Sequence, residues 1–240
     1  MPLSTRTFPP RDRLIFALDV PSMEEAIAWI DRLGEAVCFY KLGLEFCMSG
    51  DYFRLLEELR ARGKQVFADL KFYDVPATVR GAVAGLARTG ATCCTLHGAG
   101  GIYAEAVKAR GGMKLLAVTV LTSLDAADLA DLGWSGTVEE LVLRRARSAV
   151  AAGIDGLICS GQEAAMLRRE LGAGPLLITP GIRALTGNDD QKRTVTLREA
   201  FEAGADYIVV GRPIRQAADP RGAAEAMQRE IGELFGEEAG

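Results

Sequence analysis

The sequence predicts an α/β protein folded as a single (β/α)8 barrel over residues 1–240. Three observations carry this. Short, almost uniformly apolar runs alternate with helical stretches eight times, with no break in composition between them. Parallel strands buried on both faces read as such runs, and eight strand–helix units in this length suit a closed barrel. The turn after the first run, Asp19-Val20-Pro21-Ser22, holds no glycine. An open doubly wound sheet would want a glycine-rich dinucleotide turn there.

The elements follow in order. Arg13 to Val20 is a first strand that carries Asp19 near its end. Pro21-Ser22-Met23-Glu24-Glu25 starts a helix that Gly34 stops. Phe39 to Leu42 is a second strand with Lys41 near its exit, and Asp51 to Arg62 a helix ended by Gly63. Gln65 to Lys71 is the third strand. Its helix, Val75 to Arg88, opens at Pro76, since proline is tolerated in the first helical turn and not later. Thr92 to His97 is the fourth strand and Lys114 to Val120 the fifth, with a helix through Lys108 between them. A loop from Leu121 to Gly136 leads to a helix over Val138 to Ala152. Gly156 to Ser160 is the sixth strand, followed by a helix from Gln162 to Leu171, and Leu176 to Thr179 is the seventh strand. Pro180 to Arg193 is a polar loop before a helix from Leu197 to Ala203. Tyr207 to Val210 is the eighth strand, and the last helix runs from Pro220 to Phe235.

Composition narrows the function. Net charge is −4 with acids and bases interspersed, so no basic face for nucleic acid is expected. No apolar run approaches the roughly 20 residues of a membrane span, and Met1 to Pro10 lacks the apolar core of a signal peptide. The five cysteines are odd in number and contain no C-x-x-C pair, so they read as small buried hydrophobes in a reducing, cytoplasmic compartment.

Chemistry in a barrel sits at the C-terminal ends of its strands. Those ends deliver Asp19, Lys41, Asp69 with Lys71, His97, Thr119 with Thr122, Ser160, Gly181 with Arg183, and Gly211 with Arg212. So many polar exits around one ring indicate a ligand site. Asp69 and Lys71 are two apart and would point to one face of a strand, with Asp74 just beyond. Such charges need one another or a ligand beside an apolar core; the alternative is a structural ion pair with Asp74 as a helix N-cap. Gly211-Arg212-Pro213-Ile214 follows the eighth strand, where barrels often hold phosphate. Arg183 and the loop Thr186 to Gln191 would complete that grip; otherwise Gly211 serves only a turn. His97, the only histidine, reads as packed or supporting rather than as a direct participant. No metal is expected, because Lys41 and Lys71 would repel a cation.

With these residues laid out, the sequence resembles the orotidine 5′-phosphate decarboxylases of bacterial type over nearly its whole length. The most specific element is Asp69-x-Lys71-x-x-Asp74-Val75-Pro76-x-Thr78. Leu18-Asp19, Lys41-Leu42-Gly43, Val120-Leu121-Thr122-Ser123, Pro180-Gly181-Ile182-Arg183, Asp190-Gln191-Lys192-Arg193 and Val210-Gly211-Arg212-Pro213-Ile214 match in order. The resemblance implies conversion of orotidine 5′-monophosphate to uridine 5′-monophosphate and CO2 in pyrimidine biosynthesis, without metal or organic cofactor. It implies a homodimer with sites at the interface. Lys71 would protonate C6 of the pyrimidine, Asp69 would face the departing carboxylate, and Asp74 and Thr78 would reach the neighbouring subunit's site. Asp19 and Lys41 would hold ribose hydroxyls, Thr122 or Ser123 would contact the substrate near the base, and Arg183, Gln191, Gly211 and Arg212 would hold the phosphate side.

Two rival readings stand beside it. Related barrels share the Asp-x-Lys-x-x-Asp stretch and act on sugar phosphates with Mg2+, but carry a glutamate where this chain has Lys41. A nucleotide-binding scaffold without activity would have no need of a buried Lys71 between carboxylates, since apolar replacements are often as stable.

Overall fold

Eight strands form in chain order: β1 (Leu14–Ala17), β2 (Phe39–Leu42), β3 (Gln65–Phe72), β4 (Cys93–Leu96), β5 (Lys114–Val118), β6 (Gly156–Ile158), β7 (Leu176–Thr179) and β8 (Tyr207–Val210). Each pairs in parallel with the next, and β8 returns to β1, so the sheet closes into the expected (β/α)8 TIM barrel. The computed structural model describes residues 4, 6–182 and 195–236.

The helices between strands are α1 (Met23–Leu33), α2 (Leu44–Cys47), α3 (Tyr52–Ala61), α4 (Pro76–Ala87), α5 (Gly100–Ala109), α6 (Ala126–Asp131), α7 (Val138–Ala151), α8 (Gly161–Leu171), α9 (Leu197–Glu202), α10 (Arg212–Arg215) and α11 (Pro220–Phe235). Their ends follow capping chemistry. Ser22 accepts from the Glu25 amide at the start of α1, and Gly34 closes it at φ 51, in the left-handed region that favours glycine. Thr137 with Glu140 and Thr196 with Glu199 form capping boxes on α7 and α9.

Alternation along the strands sorts their side chains into two layers. Ile15, Phe39, Phe67, Leu116, Ile178 and Val209 fill the barrel interior, while Leu14, Phe16, Tyr40, Val66 and Leu177 pack outward under the helices. The polar N-terminal stretch has an unforeseen role below this interior. Phe8 packs on Tyr207 with ring centroids 5.0 Å apart. The buried Arg13 guanidinium lies 3.7 Å from the Phe235 ring centroid and donates to the Asp206 carbonyl at 3.1 Å. Fully buried Asp206 accepts from the Leu177 amide at 2.8 Å and from Arg168 at 2.5 Å, so its charge is paired.

Four departures from the expected elements matter. β1 ends at Ala17 and β6 at Ile158, which leaves Asp19 beyond its strand and frees Ser160 to be the N-cap residue of α8. The loop after β5 contains α6, nucleated by a capping box in which Asp125 and Asp128 bond each other's backbone amides. Arg212 begins the short helix α10 rather than a plain turn. β3 runs one residue further than expected, and its pairing with β4 slips between Ala68 and Phe72. Of the expected polar loop from Pro180 to Arg193, residues 183–193 lie outside the described residues.

Candidate active site

A cavity of about 480 Å3 opens at the C-terminal ends of the strands, within the size range of small-molecule sites. Asp19, Lys41, Asp69, Lys71, Thr122, Gly211 and Arg212 all line it. Seven of the residues that sequence reasoning selected at the strand exits therefore meet in one space. Val118, Ile158, Val209 and Pro180 supply apolar wall.

The charges form a chain of alternating sign. Lys41 Nζ lies 2.9 Å from Asp19 Oδ1 and 3.5 Å from Asp69 Oδ2. Lys71 Nζ lies 2.8 Å from Asp69 Oδ1. Burial alone would push the Asp69 carboxyl up, but the ammonium groups of Lys41 and Lys71, with hydrogen bonds from Lys71 and Thr95, hold it below its ordinary value. Burial likewise opposes charge on Lys41, and Asp69 and Asp19 overcome it and raise its pKa. Both groups are ionised at neutral pH.

Lys71 reaches this position by an unusual backbone. Its φ is 50°, the one positive value at a non-glycine among the described residues. For an L-residue that conformation costs roughly 1–2 kcal/mol. Thr95 on β4 accepts from the Lys71 amide at 2.9 Å and donates to Asp69 Oδ1 at 2.9 Å.

Asp74 and Thr78 are exposed and do not line the cavity. Asp74 is not the N-cap of α4 either: Val75 holds that place, and Asp74 Oδ1 accepts from the Val75 amide at 2.6 Å. Tyr73 and Val75 beside it are 72% and 62% exposed, an apolar surface at the rim. Ser123 is exposed and outside the cavity lining. His97 also stays outside, its ring 6.4 Å from that of Tyr73. Burial, with Arg145 and Lys71 nearby, lowers its pKa, so it is neutral at physiological pH. Arg183 and Gln191 lie outside the described residues. Among those described, no group of three His, Cys, Asp or Glu side chains is arranged to hold a metal, and no helix is long and apolar enough to cross a membrane.

Two residues escaped sequence reasoning. Arg215 lines the cavity and donates to the Asp19 carbonyl. Its signal was present, three residues after Arg212, which on a helix is the same face. Thr95 was visible only as a hydroxyl in an otherwise apolar strand.

A model of the orotidine 5′-phosphate decarboxylase / HUMPS family matches residues 12–227. The chain belongs to this family. A protein named orotidine 5′-phosphate decarboxylase from Methylococcus capsulatus is 53% identical over 235 residues, 97% of each chain. One of the same name from Xanthomonas campestris pv. campestris is 55% identical over 223 residues, 92% of each. The crystal structure of orotidine 5′-phosphate decarboxylase from Lactobacillus acidophilus superposes with a TM-score of 0.82 at 33% identity, covering 92% of this chain and 99% of that one. The family expected from the motifs is thus the family found, and the relatives bear the name of a carboxy-lyase.

Proposed function

We propose that this chain, acting as one barrel domain over residues 1–240, decarboxylates orotidine 5′-monophosphate to uridine 5′-monophosphate in pyrimidine biosynthesis. The observation that carries the reading is the run Asp19–Lys41–Asp69–Lys71, drawn from β2, β3 and the turn after β1 into one cavity. Breaking the bond from C6 to the carboxylate leaves an electron pair on C6 that no π-system delocalises. A fixed ammonium at Lys71 stabilises that pair electrostatically and then donates its proton to C6. Asp69 holds that ammonium at 2.8 Å and faces the departing carboxylate.

The remaining roles follow the cavity outward. Asp19 and Lys41 hold ribose hydroxyls, Thr122 contacts the substrate near the base, and Gly211 and Arg212 hold the phosphate side together with Arg183 and Gln191. Phosphate contact far from the breaking bond supplies binding energy for positioning at C6. Asp74 and Thr78 belong to a second protomer's site in a homodimer. Their exposure beside apolar Tyr73 and Val75 supports that arrangement.

The family name spans two groups, and Lys41 favours the decarboxylase over a metal-dependent sugar-phosphate enzyme. Its ammonium sits between Asp19 and Asp69, so the carboxylates that would attract a cation are already neutralised. The test follows the absorbance of orotidine 5′-monophosphate with purified protein in EDTA. Turnover is expected to survive chelation. No turnover, or turnover lost in EDTA and restored by Mg2+, overturns the proposal.

A further inference from the structure

We propose that Thr95 is a positioning residue whose buried hydroxyl locks the left-handed backbone of Lys71 and aims the Asp69 carboxylate at the lysine ammonium. The inference rests on the reading of Lys71 as proton donor.

The register of β3 against β4 is the starting point. Phe67 pairs with Cys93 and Ala68 with Cys94, so regular pairing would set Asp69 opposite Thr95 and Leu70 opposite Leu96. Instead Phe72 pairs with Leu96. From Ala68 to Phe72 is four steps, and from Cys94 to Leu96 is two, so β3 carries two extra residues in this stretch. Lys71 falls among them and turns to φ 50°. Its amide loses a backbone ladder partner and donates instead to Thr95 Oγ1 at 2.9 Å.

The same oxygen closes the circuit. Thr95 Oγ1 lies 2.9 Å from Asp69 Oδ1, and Lys71 Nζ lies 2.8 Å from that same Oδ1. An ionised carboxylate only accepts, so the hydroxyl proton must point to Asp69. One hydroxyl thus receives from the backbone of Lys71 and donates to the partner of its side chain. Thr95 is 1% exposed, so no bulk water stands ready to replace it. Strand β4 fixes Thr95, with Cys93, Cys94 and Leu96 buried around it. A rigid strand therefore supports an irregular one at the position where the reacting group must be held.

Steady-state kinetics on Thr95→Val and Thr95→Ser test this. Valine keeps the shape and removes both hydrogen bonds; serine keeps the hydroxyl. Because misplacing a reacting group is costly, Thr95→Val should lower kcat by about 10- to 100-fold, with KM within about threefold. Thr95→Ser should recover kcat to within about threefold of the parent, since its hydroxyl offers the same donor and acceptor. A Thr95→Val enzyme as fast as the parent overturns the inference. So does a Thr95→Ser enzyme as slow as the valine variant, which would assign the residue to packing. Should Thr95→Val fail to fold, Thr95→Ala takes its place with the same expectation. Failure of both beside a folded Thr95→Ser would assign the hydroxyl to folding and overturn the inference. Lys71→Ala separates the two readings. If it is inactive while Thr95→Val is unimpaired, only the role of Thr95 falls. If it remains active, the proton-donor reading falls and this inference with it.

Discussion

At the scale of single residues, burial and charge act against each other, and the balance decides the site. Asp69 carries a depressed pKa despite burial. Its contribution to stability is present above the unfolded carboxylate value of about 3.9 and is lost as pH falls through the folded value. Lys41 carries a raised pKa. Its contribution is present below the unfolded value of about 10.4 and is lost as pH rises through the folded value. Asp69 and Lys41 are therefore both charged across the neutral range. At three of the cysteines burial prevails. Burial and Asp12 push the Cys38 thiol up to about 11, burial pushes Cys94 to about 12, and Cys93 is raised well above its ordinary value. Cys159 is buried, and only Cys47 is partly exposed. At pH 8 a thiol of pKa 11 is about one-thousandth thiolate, and the thiolate is the reactive form. Native protein mixed with a chromogenic disulfide reagent at pH 8 should react rapidly at no more than one thiol per chain, against five in guanidinium chloride. Two or more fast thiols in the native protein would show that the strands open readily.

At the scale of elements, the barrel tolerates irregularity at its mouth and little in its waist. β3 departs from simple pairing next to the cavity, where a ligand site needs a side chain re-aimed. β6 illustrates the opposite case. A Cβ on Gly156 would lie 2.7 Å from Leu176 Cβ on one neighbouring strand and 2.9 Å from Leu116 Cδ2 on the other. The small residue is required by volume, not by backbone angle. Gly156→Ala overpacks this point, and such insertions typically cost about 1–3 kcal/mol, so the urea midpoint should fall by that stability divided by the slope, with the slope itself unchanged. An unchanged midpoint would mean that β5 and β7 separate without cost.

At the scale of the whole molecule, the proposed dimer makes a prediction that no single protomer can satisfy. Lys71 lines the cavity of its own barrel, while Asp74 is exposed on the rim. Lys71→Ala and Asp74→Ala homodimers should each be nearly inactive. After subunit exchange, a mixed dimer has one site with both lesions and one with neither. Random exchange makes roughly half the dimers mixed, so about a quarter of all sites are intact by the two-fold symmetry. Activity should climb toward that fraction. Demonstrated exchange with no regained activity would refute the shared site and leave the decarboxylase reading standing.

The barrel and most of its site were legible in the chain because both depend on local pattern. Two-sided apolar runs announce buried parallel strands, and in a closed barrel their exits converge whatever the details. Asp19, Lys41, Asp69, Lys71, Thr122, Gly211 and Arg212 could be selected on that basis and meet in one cavity. Contacts between segments distant in sequence could not be read that way. Which carboxylate pairs with which ammonium, that Arg215 donates to the carbonyl of Asp19, and that Phe8 packs on Tyr207 all depend on packing across the fold. The bend at Lys71 is the sharpest case. Asp69 and Lys71 do share a face, as strand alternation suggests, but alternation is not what puts them there. A two-residue slip against β4 turns the lysine to φ 50°, and a threonine 24 residues away receives its amide. Spacing along one strand carries no trace of that partner, because the hydrogen bond exists only once the two strands lie side by side.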